Sequence, residues 1–202
     1  MLYTYTMKKD KLLYYQNTVL KALSHKIDDF YLAGGTALSL FYFQHRESLD
    51  LDFFSRNFTY SRVKEITEYL KRVLKTKIKL VSQSFEKERT KMAVYNTYFS
   101  SRNVLKIDFV EDVLGLVKKT KVVEGINILS LEDIYLRKIY AIVGMVKTFD
   151  EVGRGKFIGK RIDAKDFYDL YFLSHTFMLL SKFADKYCDA SIKEGLIRWF
   201  RT

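Results

Sequence analysis

The chain has no proline and one cysteine, Cys188, in 202 residues. A single thiol excludes an internal disulfide and fits a reducing cytosol. There are only three histidines, His25, His45 and His175, so no Cys/His pattern for a metal is present. The lack of proline is compatible with biased codon usage and carries no functional information. The first residues hold no apolar stretch followed by a small-residue cleavage site, so no signal peptide is expected. The most apolar window, Phe30 to Phe43, contains two glycines and is too short to span a bilayer. A soluble, cytoplasmic protein without membrane attachment is expected. Low-complexity segments, repeats and Pro/Ser-rich linkers are also missing. No glycine-rich loop ends in Lys and Ser or Thr after a strand, which argues against a P-loop hydrolase.

What is present is a core-forming composition. Hydrophobic residues make up 48% and aromatics 16%, too many for a disordered chain. A chain of this size forms one domain, or one domain with a helical appendage, and buries roughly 70% of its unfolded surface. Lys and Arg number 35 against 24 Asp and Glu, a net charge of +11. That excess attracts polyanions such as nucleic acid or nucleotides. It is equally the charge of a well-solvated basic surface.

Periodicity gives the order of elements. Leu12, Leu13, Val19, Leu20 and Leu23 have helical spacing between Asp10 and His25. Phe30 to Ala33 reads as a short strand, and Thr36 to Phe41 as a helix beyond Gly34-Gly35. Leu49 to Phe54 is the next strand. Thr59 or Ser61 can cap a helix to about Leu74, with Val63, Ile66, Tyr69, Leu70 and Val73 as its buried stripe. Lys77 to Ser84, Lys91 to Ser100 and Val104 to Val110 read as strands, the last two joined by a turn at Ser101-Arg102-Asn103. Val122 to Leu129 is another strand. Ser130 and Asp133 open a helix to about Val146. Gly153, Gly155 and Gly159 mark a basic loop, and the chain is helical from Ile162. The expected fold is mixed α/β (α+β): residues 1–130 form a twisted mixed sheet flanked by helices, and residues 131–202 form a C-terminal helical bundle.

Two elements carry chemistry. Gly34-Gly35-Thr36 follows a strand and opens a helix. Glycine lets the backbone turn sharply and approach a ligand, and a helix start offers free N–H groups to a phosphate. The same sequence also makes a tight turn with no ligand. Asp50 and Asp52 stand two residues apart on a strand and share one face, while Leu51 and Phe53 take the other. Adjacent like charges are costly without a cation, so the pair suits divalent metal, although a solvated strand face is the plainer reading. Asp108 lies in a separate strand whose other face is apolar, where a lone Asp also reads as a satisfied surface residue. Three strand carboxylates after a glycine turn suit two Mg²⁺ ions (or Mn²⁺) clamping an in-line displacement. Asp108, if near the attacking hydroxyl, helps remove its proton.

Leu32-Ala-Gly-Gly-Thr-Ala-Leu38 followed by His45-Arg-Glu-Ser-Leu-Asp-Leu-Asp-Phe-Phe54 closely resembles the AbiEii/AbiGii toxin family of nucleotidyltransferases, in the polymerase-β-like superfamily. Leu105-Lys-Ile-Asp-Phe109 is similar to that family's third-carboxylate strand. Arg137-Lys-Ile-Tyr-Ala141 is similar to its lysine-bearing helix, and Arg161 with Lys165-Asp-Phe-Tyr-Asp-Leu170 to its C-terminal signature. The resemblance implies a nucleotidyltransferase core whose C-terminal helices close the cleft. It implies that Gly34, Gly35 and Thr36 hold the triphosphate, with Ser39 a turn later. It assigns Asp50, Asp52 and Asp108 to metal, Lys138 to the nucleotide phosphates, and Lys165 and Asp166 to the cleft from the helical side. Asp166 is thereby a catalytic candidate. Arg46 contacts phosphate, or pairs with Asp50 or Glu47. His45 and Asp169 read as structural partners. Phe167, Tyr168, Tyr171 and Phe172 read as core residues at helical spacing. The basic run Lys71, Arg72, Lys75, Lys77 and Lys79 suits an RNA backbone or plain solvent.

Mg²⁺-dependent transfer of a nucleotide from an NTP is the function expected, and the resemblance implies an RNA acceptor, a tRNA 3′ end as in some members of the family, and a cognate antitoxin protein as partner. A small-molecule, antibiotic-type nucleotidyltransferase is the alternative within the same chemistry. A non-catalytic nucleotide- or RNA-binding module is the alternative outside it.

Overall fold

The computed structural model describes residues 2–84, 90–144, 146–149, 155–158 and 163–201. The chain divides into two compact units, Met1–Ser130 and Leu131–Thr202.

The first unit opens with helix α1 (Leu2–Leu23), which buries Val19, Leu20 and Leu23. Strand β1 (Tyr31–Ala33) runs straight into a short helix, α2 (Gly34–Ala37), which widens into a π-helical turn over Leu38–Tyr42. Strand β2 (Asp50–Ser55) and helix α3 (Tyr60–Leu74) follow. The Thr59 side chain caps α3 by accepting from the Arg62 N–H at 3.2 Å, as its position before the apolar stripe predicts. The buried stripe of α3 is Val63, Ile66, Thr67 and Leu70. Val73, expected inside, is 49% exposed, because it falls in the last turn before the left-handed Lys75.

Next come β3 (Lys77–Gln83), β4 (Met92–Tyr98), β5 (Val104–Glu111), β6 (Lys121–Val123) and β7 (Ile126–Ile128). The single strand expected from Val122 to Leu129 is two strands. Glu124 and Gly125 both take positive φ, 50° and 76°, and fold the segment into a tight hairpin.

All seven strands form one mixed sheet in the order β3-β4-β5-β2-β1-β7-β6. The middle of that sheet decides the site. β1 pairs antiparallel with β2, and β2 pairs parallel with β5. The buried face of the pair comes from alternate residues: Leu51 and Phe53 on β2, Leu105, Ile107 and Phe109 on β5. Phe53 stacks on Phe109 at 5.7 Å between ring centroids, and Phe30 meets Phe109 edge-on at 5.5 Å. Each fully buried side chain of this size stabilises the fold by roughly 1.5–3 kcal/mol, enough to fix the register.

The second unit holds α4 (Leu131–Val143), a two-stranded sheet of β8 (Val146–Phe149) and β9 (Gly155–Ile158), then α5 (Ala164–Thr176), α6 (Leu180–Tyr187) and α7 (Ala190–Phe200). Part of the segment read as a glycine loop is therefore strand β9; Gly153, Gly159 and Arg161 lie outside the described residues. Of the α5 aromatics expected in the core, Phe172 is half-buried and the other three are exposed. Phe167, Tyr168 and Tyr171 are 51%, 42% and 50% exposed. The helix turns Asp166, Asp169, Leu170 and Leu173 inward instead, because its carboxylates pair with a buried lysine.

Candidate functional site

The strand register builds the site in the first unit. On β2, Asp52 stands opposite Ala33 of β1 on one side and opposite Asp108 of β5 on the other. Asp50 stands opposite Lys106. In-register residues on neighbouring strands share a face, about 4.8 Å apart. The sheet thus brings together Asp50, Asp52 and Asp108, which the sequence placed on two separate segments.

The glycine turn abuts this group. Gly34 follows directly on Ala33, with φ +68°, in the left-handed region that favours glycine. A Cβ on Gly34 would lie 2.6 Å from Asp52 Oδ2. The backbone of the turn therefore presses against the carboxylate, and no side chain fits between them. At Gly35 a Cβ would meet Arg46 Nη2 at 2.2 Å and Ser48 Oγ at 3.1 Å, so the guanidinium lies against the same turn from the other side. Arg46 Nη1 donates to the Glu47 carbonyl at 2.8 Å.

Thr36 is buried, and its hydroxyl donates to the Asp50 carbonyl and lies 2.8 Å from Ser48 Oγ. A hydroxyl has one proton, so this side chain staples the turn to β2. Ser39 Oγ donates to the Thr36 carbonyl at 3.2 Å, within the same helical turn. Both hydroxyls thus shape the loop, in which Gly35, Thr36 and Ala37 are buried and Gly34 is part-exposed.

Lys106 is the feature that sequence reasoning missed. Its Nζ lies 3.0 Å from Asp50 Oδ2 and 2.9 Å from Asp108 Oδ2. Burial opposes its charge, but hydrogen bonds to Asp108 and Asp50 outweigh that, and its pKa stands above the ordinary lysine value. Asp108 is also raised: burial of its side chain, 13% exposed, outweighs the pull of Lys106, and the charge of Asp50 pushes the same way. The raised Lys106 reflects its contacts with the two acids, whereas the raised Asp108 reflects burial that exceeds the effect of that same contact. The signal was available, because Lys106 and Asp108 are two apart on one strand and must share a face.

The residues fit a divalent ion chemically. Carboxylate oxygens are the hard donors that Mg²⁺ takes. Asp108 Oδ1 is buried and has no hydrogen-bond partner, an orphaned acceptor of the kind a cation satisfies. Among the described residues no three His, Cys, Asp or Glu side chains are already gathered as a metal cluster. The Lys106 ammonium bridges two of the three acids in that place.

A cavity of about 710 Å³ opens on the α1 side of the turn, lined among others by Leu20, Ser39, Leu40, Arg46, Ser48 and Ile126. None of the three aspartates lines it, so the metal candidates and this cavity are separate places.

The other candidates belong to the second unit. Lys138 Nζ lies 2.7 Å from Asp166 Oδ1 and 2.6 Å from Asp169 Oδ2, with its side chain 8% exposed and both acids fully buried. Asp169 is the ion-pair partner that its position suggested. Lys165 is exposed and 3.9 Å from Asp163.

A strand–glycine turn–helix pressed against acids on two central strands of a mixed sheet defines a nucleotidyltransferase-type fold. The comparisons with known proteins narrow this. The family described as nucleotidyl transferase AbiEii toxin, type IV TA system, matches residues 18–193, and the chain belongs to that family. Its fold is shared with JHP933 from Helicobacter pylori: TM-score 0.51, 24% identity, 85% of this chain and 66% of that chain covered. It is shared also with MenT4, a nucleotidyltransferase toxin from Mycobacterium tuberculosis H37Rv: TM-score 0.50, 17% identity, 88% of this chain and 62% of that chain covered. The chain thus spans about two thirds of the length of either structure. No curated protein sequence matches it. No helix among the described residues is long and apolar enough to cross a membrane.

Proposed function

We propose that the protein transfers a nucleoside monophosphate from an NTP to an acceptor, that the acceptor is RNA, with a tRNA 3′ end as the first candidate, and that it acts as the toxin of a toxin–antitoxin pair. The observation that carries the reading is the register Ala33–Asp52–Asp108, which sets a glycine turn and two acids side by side on three adjacent strands. Family membership supports nucleotidyl transfer in general. The net charge of +11 favours an RNA acceptor over a cationic small molecule.

In this reading Asp50, Asp52 and Asp108 would hold Mg²⁺, and the ion would supply charge neutralisation for the triphosphate and the leaving pyrophosphate. The turn Gly34-Gly35-Thr36 offers backbone N–H groups to the donor phosphates, because its glycines let backbone come close. Arg46, lying against Gly35, adds positive charge at that turn. Asp108, with its pKa raised by burial, is suited to accept the proton of the attacking hydroxyl. Lys138, Lys165 and Asp166 contribute to transfer on the strength of the family resemblance. The Lys138 ammonium also contacts two fully buried acids, so its removal acts on structure before chemistry.

The test is transfer of label from each of the four NTPs to total tRNA with Mg²⁺, beside a chain carrying Asp50→Asn and Asp52→Asn. Transfer by the native chain alone is the expected result. Failure of the native chain to label any RNA, while it still binds nucleotide, would overturn the acceptor assignment.

A further inference from the structure

Lys106 converts the acidic face into a site that already contains a cation. Its ammonium sits 3.0 Å from Asp50 Oδ2 and 2.9 Å from Asp108 Oδ2, one oxygen from each of two neighbouring strands. These oxygens belong to the acids assigned above to metal, so the inference rests on that reading. We infer that Lys106 is a built-in counter-ion for this site, and that a divalent ion takes Asp50 Oδ2 and Asp108 Oδ2 only by displacing it.

The geometry supports exchange. An Mg²⁺ on these two Oδ2 atoms would sit about 2.0–2.1 Å from each and would leave no room there for an ammonium. The lysine can leave: its stem is a flexible four-carbon chain, and the side chain is 39% exposed. The acids cannot follow it, because their strands are fixed by the buried Leu51, Phe53, Ile107 and Phe109 on the opposite face. Without metal, the lysine spares Asp50 and Asp108 the repulsion of two adjacent charges. With metal, it is the competitor that sets how much metal the site needs. If the lysine-free arrangement is populated a tenth of the time or less, removing the lysine tightens metal binding about tenfold or more.

The experiment is a Mn²⁺ titration of the full chain without nucleotide, with free Mn²⁺ followed by electron paramagnetic resonance. Lys106→Met should bind Mn²⁺ at least about tenfold tighter than the native chain. Asp50→Asn with Asp108→Asn should lose the site in either background. In the native chain, an amine-acylating reagent read by mass spectrometry should modify Lys106 slowly without metal and faster with saturating Mn²⁺. This second measurement needs no variant to fold. Equal Mn²⁺ affinity in the native and Lys106→Met chains, or a Lys106 labelling rate that ignores Mn²⁺, overturns the inference and leaves the metal assignment standing. Absence of Mn²⁺ binding in both chains overturns the metal assignment itself, and the inference with it.

Discussion

Replacing Gly34 by alanine tests the contact on which the site depends. Two costs add. The backbone at Gly34 has φ +68°, which disfavours a residue with a Cβ by about 1–2 kcal/mol. The new Cβ would lie 2.6 Å from Asp52 Oδ2, well inside van der Waals contact. Overpacking of this kind costs roughly 1–3 kcal/mol, and rotation of the short Asp52 side chain relieves part of it. The expected loss is therefore about 2–3 kcal/mol of stability, read as a lower urea midpoint with an unchanged slope. Rotation of Asp52 also moves a proposed metal ligand, so Mn²⁺ affinity and transfer activity should both fall. Gly35→Ala is the internal comparison. Gly35 has no positive φ, and its Cβ would meet the end of the flexible Arg46 side chain at 2.2 Å. The guanidinium can withdraw, so stability should fall less, and the main effect should be a higher KM for NTP. A Gly34→Ala chain within about 0.5 kcal/mol of native stability, with native Mn²⁺ affinity, would refute the reasoning, since 0.5 kcal/mol is the ordinary scatter of surface substitutions.

Other outcomes follow from the same geometry. Lys138→Met leaves Asp166 and Asp169 buried without their shared cation and should cost about 3–5 kcal/mol by chemical denaturation. Asp169→Asn leaves one acid against one lysine and should cost clearly less; equal losses would show that the lysine does not hold both acids. Thr36→Val removes the hydroxyl bonded to the Asp50 carbonyl and should cost about 1–2 kcal/mol, while Thr36→Ser should restore most of it in the same urea titration. Cys188 is buried, which pushes its thiol up to about 11, so Ellman's reagent at pH 8 should react only after denaturant is added. The unfolded thiol loses its proton first, from about pH 8.5, so the unfolded state then binds fewer protons. This residue's contribution should therefore make stability fall between about pH 8.5 and 11, and Cys188→Ala should flatten that part of the profile.

The parts of this fold that were legible in the sequence are those set by short-range rules. Alternation on β2 and β5 gave the face of Asp50, Asp52 and Asp108, because strand period is fixed by backbone geometry. The glycine pair gave the turn, and Thr59 gave the start of α3. What escaped depends on pairing across distance. The α5 aromatics have the spacing of a core stripe, yet Asp166 and Asp169 have helical spacing too, and a buried Lys138 from another helix decided which face went in. The turn at Glu124–Gly125 was hidden inside an apolar run that reads as one strand. Lys106 was ordinary as a strand lysine until the parallel register set it against Asp50. For α5 and for Lys106, a charge changed its meaning once a partner arrived from elsewhere in the chain. The three aspartates can be read from the sequence as a demand for positive charge. Only the register shows that the chain meets part of that demand itself, so removing Lys106 should increase the site's appetite for metal rather than abolish it.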